Sequence, residues 1–129
     1  MAIKPRVLIL DSDLDVLNLL AATFKLKNYE VFKAVSAEEC MNILAAEASR
    51  FDAMVINGQI AEDRGAMVIV HTKNLNPDVK ILAIADADNA KTRILDYGAD
   101  EFTLRPMSTE NVADKVFNLI AIGKKARRS

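Results

Sequence analysis

The sequence predicts a single α/β domain in which a parallel sheet of five strands carries helices on both faces. Three observations predict it. Short β-favouring apolar runs alternate with segments whose apolar residues recur at helical spacing, and no linker or internal repeat breaks the alternation. Each connection between successive apolar runs has helical length, as a parallel crossover requires. With 129 residues, 51% apolar and 27% charged, the chain has the size and balance of one domain that encloses a core without disulfides or structural metal.

The elements follow in order. Val7 to Leu10 is a continuous apolar run, the pattern of a strand covered on both faces, and it stops at Asp11, Ser12 and Asp13, which are good helix-capping residues. Leu14, Leu17, Ala21 and Phe24 then recur at helical spacing, and Tyr29 to Phe32 reads as a second strand. Ser36 caps a second helix with Ala37, Cys40, Met41, Leu44, Ala45 and Ala48 on one stripe, and Ala53 to Ile56 forms the third strand, ending at Asn57 and Gly58. A looser helix spans Arg64 to Asn74, the Asn76, Pro77, Asp78 turn follows, and Val79 to Ala85 is the fourth strand. A short helix from Asn89 to Tyr97 halts at Gly98, a residue suited to a left-handed cap. Asp100 to Leu104 is the fifth strand, and the last helix, starting near Ser108, turns Val112, Val116, Leu119 and Ile120 to the core.

Composition excludes several classes. No apolar run approaches the roughly 18 to 20 residues of a membrane span, and the stretch behind the first residues is too short for a signal peptide, so the expectation is a cytoplasmic domain with no membrane role. The single cysteine, Cys40, has no internal disulfide partner and reads as a packing residue. A net charge of −1 supplies no field to attract nucleic acid. Residues 1–122 form the domain; residues 123–129, with Lys124, Lys125, Arg127 and Arg128, read as a basic tail or linker, with contact to nucleic acid or membrane as the other meaning of such a run. The one histidine, His71, reads as a surface residue rather than a phosphoryl carrier.

In sheets of this kind ligands sit beyond the carboxyl ends of the strands, near the point where strand order reverses. Those ends are Asp11 with Ser12 and Asp13, Asn57 with Gly58, Ala85 with Asp86, and Arg105 with Pro106. No nucleophile, base and orienting group assemble from them, so the chain is not expected to be an enzyme.

At these positions the chain resembles the receiver domain of two-component response regulators, the CheY-like superfamily. The likeness covers about Pro5 to Ile122 and rests on Val-Leu-Ile-Leu-Asp at 7–11, Phe-Asp-Ala-Met-Val-Ile at 51–56, Asn-Pro-Asp-Val-Lys-Ile-Leu at 76–82 and Gly-Ala-Asp-Glu-Phe-Thr-Leu-Arg-Pro at 98–106. It implies a flavodoxin-like (βα)5 fold with strand order 2-1-3-4-5. It also implies a pocket of two adjacent acidic residues, an acceptor aspartate, a Thr or Ser, and a lysine before a proline whose peptide bond is commonly cis.

The chain departs from that set. Asp11 matches the first acidic position, the only acidic ligand position retained; Ser12 stands at the second, Asn57 at the acceptor, Ala85 at the hydroxyl and Arg105 at the lysine, while Pro106 is kept. An amide has no attacking carboxylate oxygen, so Asn57 cannot form an acyl phosphate. Mg2+ prefers hard anionic oxygens, so its binding is expected to be weak or absent, and no other cofactor is implied. Ala85 has no hydroxyl to move toward a phosphate, and Phe102, at the family's aromatic position, has none either. With Asp11 and Arg105 the pocket charge sums to zero. Arg105 is therefore expected either to cross the pocket and pair with Asp11, or with Asp13, or to stand as an exposed strand-end charge.

The resemblance thus implies a degenerate receiver-like module that acts through protein partners, a histidine kinase or an output domain among them, and independently of phosphorylation. The partner face is expected over Asn89 to Tyr97, Phe102 and the helix from Ser108, with a homodimer through the last helix as one use of it. Two alternatives stand beside this reading. One is a regulator phosphorylated at another carboxylate, such as Asp13 or Asp63; the other is a flavodoxin-like cofactor-binding domain, which the acidic loop after the first strand disfavours because it would repel a flavin phosphate.

Overall fold

The computed structural model of the chain describes residues 4–46, 50–57, 60, 64–86 and 91–128. Ala48, Gly58, Asp63, Asn89 and Ser129 lie outside the described residues. The strands are β1 (Arg6–Leu10), β2 (Glu30–Ala34), β3 (Ala53–Asn57), β4 (Lys80–Ala85) and β5 (Glu101–Leu104). The helices are α1 (Leu14–Leu26), α2 (Ala37–Ala46), α3 (Gly65–Leu75), α4 (Lys91–Asp96) and α5 (Thr109–Arg128). All strand pairings are parallel and the order is β2-β1-β3-β4-β5, as expected.

The alternation of side chains along a strand divides the core into two layers. Val7, Ile9, Ala53, Val55, Leu82 and Ile84 face α1 and α5, where they meet Leu17, Leu20, Phe24, Val112 and Val116. Leu8, Leu10, Met54, Ile56, Ile81 and Ala83 face the other three helices, meeting Cys40, Leu44, Val68, Ile69 and Ile94. Every residue of β1 and β3 is buried, which explains why those strands read as unbroken apolar runs. Each fully buried Leu or Ile contributes about 1.5–3 kcal/mol, so the sheet interior is a rigid base for whatever its rim carries. Cys40 is in this core, and burial pushes its thiol pKa up to about 12, consistent with packing rather than chemistry.

Local chemistry sets the helix ends. Asp13 Oδ1 accepts the N–H groups of Asp15 (3.0 Å) and Val16 (3.3 Å) and starts α1. Ser36 Oγ accepts from Glu39 N–H while Glu39 reaches back to Val35 N–H, a capping box displaced by one residue. Ser108 Oγ accepts from Asn111 N–H at the start of α5. Gly98 has φ +121°, the backbone conformation expected of it after the short helix. The basic segment set apart as a tail is helical as far as Arg128, so it continues α5 rather than leaving it as coil. Gly123, inside that segment, is buried against the Lys80 side chain.

Candidate functional site

Strand parity builds the site. Asp11 continues the face of Val7 and Ile9, Asn57 that of Ala53 and Val55, and Asp86 that of Leu82 and Ile84. Arg105 lies on the side opposite Phe102, which packs half-buried on the other layer. Asp11, Asn57, Asp86 and Arg105 therefore emerge at the carboxyl rim on the face shared with α1 and α5. Ala85 has the opposite parity and is fully buried in the other layer, with no polar side-chain atom to offer.

Asp11 and Asn57 are the centre. Asp11 is 1% exposed and Asn57 3%. The Asn57 Nδ2 donates to Asp11 Oδ2 at 2.6 Å, and Asp13 N–H donates to Asp11 Oδ1 at 2.9 Å. Asp11 N–H is itself tied to Ala34 O, extending the β1–β2 ladder one residue into the rim. Burial raises the Asp11 pKa above the ordinary carboxylate value; the Asp13 N–H, the Asn57 amide and the charge of Arg105 each pull it part of the way back, and the Asp13 charge pushes it up slightly. Asn57 Oδ1 is buried and has no hydrogen-bond partner.

The pairing of Arg105 with Asp11 or Asp13 expected from the charge count is not what the structure holds. Arg105 makes a two-pronged contact with Asp86, Nε to Oδ1 at 2.9 Å and Nη2 to Oδ2 at 2.8 Å. The reason is the sheet. Ala85 and Leu104 are register partners and Arg105 N–H bonds Ala85 O, so Asp86 and Arg105 leave adjacent strands side by side. Asp11 leaves β1, three strand spacings or about 14 Å away, beyond the ends of β3 and β4. Nor is Arg105 a lone strand-end charge: it is partly buried and fixed by its fork.

The remaining expected positions divide. Asp13 is used as the α1 cap and turns its carboxylate to that helix. Ser12 is exposed and lines a separate depression with Ser36, Glu38 and Arg64. The Arg105–Pro106 peptide is cis. His71 is on the surface of α3. Among the described residues no three His, Cys, Asp or Glu side chains cluster to hold a metal ion.

Two features of the site are absent from the sequence reading. One is the pairing of Asp86, a strand-end residue that order β4-β5 with Ala85 opposite Leu104 places beside Arg105. The second is a cleft of about 670 Å³ between α1 and the start of α5. Val16, Leu19, Leu20, Met107 and Val112 form its apolar walls, and Asn57, Asp86 and Arg105 its polar end.

A family model described as response regulator receiver domain matches residues 7–117. The transcriptional regulatory protein PrrA of Mycobacterium bovis is 28% identical over 119 residues, which are 91% of this chain and 50% of that protein. The response regulator SaeR of Staphylococcus epidermidis is 22% identical over 125 residues, 95% of this chain and 53% of that protein. The chain thus spans about half the length of the curated relatives it matches. A CheY-like response regulator receiver domain protein from Methanospirillum hungatei superposes with a TM-score of 0.83 at 20% identity, covering 96% of this chain and 99% of that one. A response regulator from Burkholderia pseudomallei, solved with a phosphorylated aspartic acid, a calcium ion and citrate, gives 0.78 at 21% identity, covering 95% and 73%. These structural likenesses are evidence for the fold.

Proposed function

The chain belongs to the response regulator receiver domain family, and from that premise we propose that it is a non-enzymatic signalling module read by a protein partner without phosphorylation of its pocket. The observation that carries the reading is the hydrogen bond from the Asn57 amide to the Asp11 carboxylate. Where the resemblance places an acceptor aspartate, this chain has a group that cannot be phosphorylated and that already satisfies its acidic neighbour. Ala85, buried on the opposite face, supplies no hydroxyl to follow a phosphoryl group.

A weak or absent Mg2+ site belongs to the same reading. Asp11 presents a single buried carboxylate whose two oxygens are both occupied as acceptors, Ser12 is turned to solvent, and the Asn57 nitrogen rather than its oxygen faces Asp11. Mg2+ demands near-octahedral anionic or carbonyl oxygens, which this donor set does not provide. The partner, a kinase or an output domain, would meet the face of α4, β5 and α5, where Leu95, Tyr97, Leu104 and Phe117 are exposed. A homodimer through α5 would use the same face.

The test is intact-mass measurement after incubation with acetyl phosphate and Mg2+. An unchanged mass is the expected result. An added phosphoryl mass mapped to any carboxylate, Asp13 and Asp63 included, would establish the phosphorylated alternative instead.

A further inference from the structure

The formal net charge of −1 conceals a separation of charge along the strand axis. In a parallel sheet each connecting helix runs against the strands, so helices start at the carboxyl rim and end at the amino rim. The carboxyl rim collects Asp11, Asp13, Asp15, Glu38, Glu39 and Asp86. The opposite end of the molecule carries the last turns of α5, where Lys124, Lys125, Arg127 and Arg128 fall within five residues and no acidic residue follows Asp114 in the chain.

Because α5 stays helical as far as Arg128, these cations form an array rather than a loose run. At helical spacing positions 124, 125, 127 and 128 share an arc of about 160°, and Ala126 is the one position on the other side. Gly123 is buried against Lys80, the first residue of β4, so the array begins where the sheet ends and continues for about 7 Å beyond it. One or two cations complement the negative end of a helix dipole. Here Lys124 meets Arg127 and Arg128, and Lys125 meets Arg128, at spacings of three and four residues, where like charges oppose the helix. A dense external anion would remove that opposition.

The array also selects among anions. Residues 124–128 include no large apolar side chain to sink into a bilayer, as an interfacial helix requires. A nucleic-acid duplex, with one charge for about every 1.7 Å of its axis, supplies several phosphates within the reach of the array at once. Asp52 and Asp78 line the cleft beneath the sheet beside Ile120 and Gly123, so a polyanion is repelled there and admitted along the outer side of the helix end. We propose that the C-terminal end of α5 binds the phosphate backbone of double-stranded nucleic acid without reading its sequence, with the acidic carboxyl rim turned away from it. This goes beyond the signalling reading and does not rest on it, since the contact lies at the other end of the sheet from Asn57 and is indifferent to phosphorylation there.

The experiment is a fluorescence-anisotropy titration of a labelled DNA duplex of about 16 base pairs with the full chain, repeated from about 25 to 150 mM NaCl. Saturable binding is expected, with log affinity falling against log salt at a slope of about −3.5, as four neutralised phosphates require, and with equal affinity for a duplex of unrelated sequence. The double variant Arg127→Gln with Arg128→Gln should lower the slope to about −2 and weaken binding at the lowest salt by about tenfold or more. Absence of saturable binding at the lowest salt would overturn the proposal. So would an unchanged slope in the double variant, which would put the contact elsewhere, or tighter binding to vesicles of mixed neutral and anionic phospholipid at matched charge, which would make the ligand a lipid surface. The wild-type salt slope and the vesicle comparison decide the matter even if the variant misfolds.

Discussion

The side-chain amide of Asn57 and the carboxylate of Asp11, 46 residues apart in sequence, meet at 2.6 Å beneath the carboxyl rim of the sheet. Neither is accessible to more than a trace of solvent. One neutral donor thus takes the position where the family resemblance places a second negative charge, and the behaviour of this pair is where the proposed function is most open to test.

Replacing Asn57 by Asp removes the donor and sets two carboxylates against each other. At neutral pH Asn57→Asp is expected to destabilise the domain by about 1–3 kcal/mol, the scale of a lost hydrogen bond to a buried charged group. One of the two carboxylates then has a strongly raised pKa, so the deficit should shrink on acidification. Mg2+ should also reduce it, while leaving the wild type unchanged. Urea denaturation at two pH values with and without Mg2+ measures both effects; a wild type equally stabilised by Mg2+ would contradict the expected loss of the metal site.

The pH dependence of Asp11 has a definite sign. Its folded pKa is raised by burial above the ordinary value of 3.8. The folded state therefore holds this proton more tightly than the unfolded chain, and Asp11's contribution to stability is fully present below the unfolded pKa and lost as pH rises through the folded one. The informative quantity is the difference between the wild type and Asp11→Asn, in which the contribution of every other group cancels. That difference should move against the wild type as pH rises from 3.8 through the folded pKa, and become flat above it. Urea midpoints collected in steps of pH check it.

Arg105 acts on Asp11 through its field rather than by contact. Arg105→Ala should raise the Asp11 pKa further, since one of the influences lowering it is removed. Carbon-13 NMR titration of the carboxyl carbon reads this directly. The Arg105–Asp86 pair itself is half-solvated, so its loss should cost no more than about 1 kcal/mol, and less in high salt.

Gly98 and Gly123 should respond to alanine in opposite ways. At Gly98 the backbone has φ +121°, which a Cβ disfavours, while the nearest atoms, on Ile69 and Lys73, leave ordinary room at 3.4 Å. Gly98→Ala is expected to cost about 1 kcal/mol or more through the backbone alone. A Cβ at Gly123 would meet Lys80 Cε at 2.6 Å, but that is the mobile end of a long side chain, and alanine favours a helix over glycine by about 1 kcal/mol. Gly123→Ala should be neutral or stabilising. Thermal unfolding of the two variants side by side measures the contrast.

Much of the fold was legible because burial writes itself into sequence. Val7 to Leu10 and Ala53 to Ile56 are apolar at every position because both faces of their strands are covered. The edge strand β2 runs from Glu30 to Ala34 rather than over the expected Tyr29 to Phe32, because its exposed Glu30 and Lys33 blur the pattern. The basic residues after Ile122 continue the last helix as far as Arg128, which composition alone does not reveal because a solvated helix end and a solvated coil share it.

By itself the sequence determined the strands and helices, their sheet order through the family resemblance, and the chemical identity of each rim residue, because these depend on local periodicity and residue type. Tertiary structure alone decided which rim residues meet: Arg105 with Asp86 rather than Asp11, and Asn57 with its nitrogen on Asp11 and its oxygen unpaired. The physical reason is distance across a sheet. Charges attract whatever their positions in the chain, but Asp11 and Arg105 leave strands three spacings apart while Asp86 and Arg105 leave neighbouring ones, so register and strand order select the partner that a charge count leaves open.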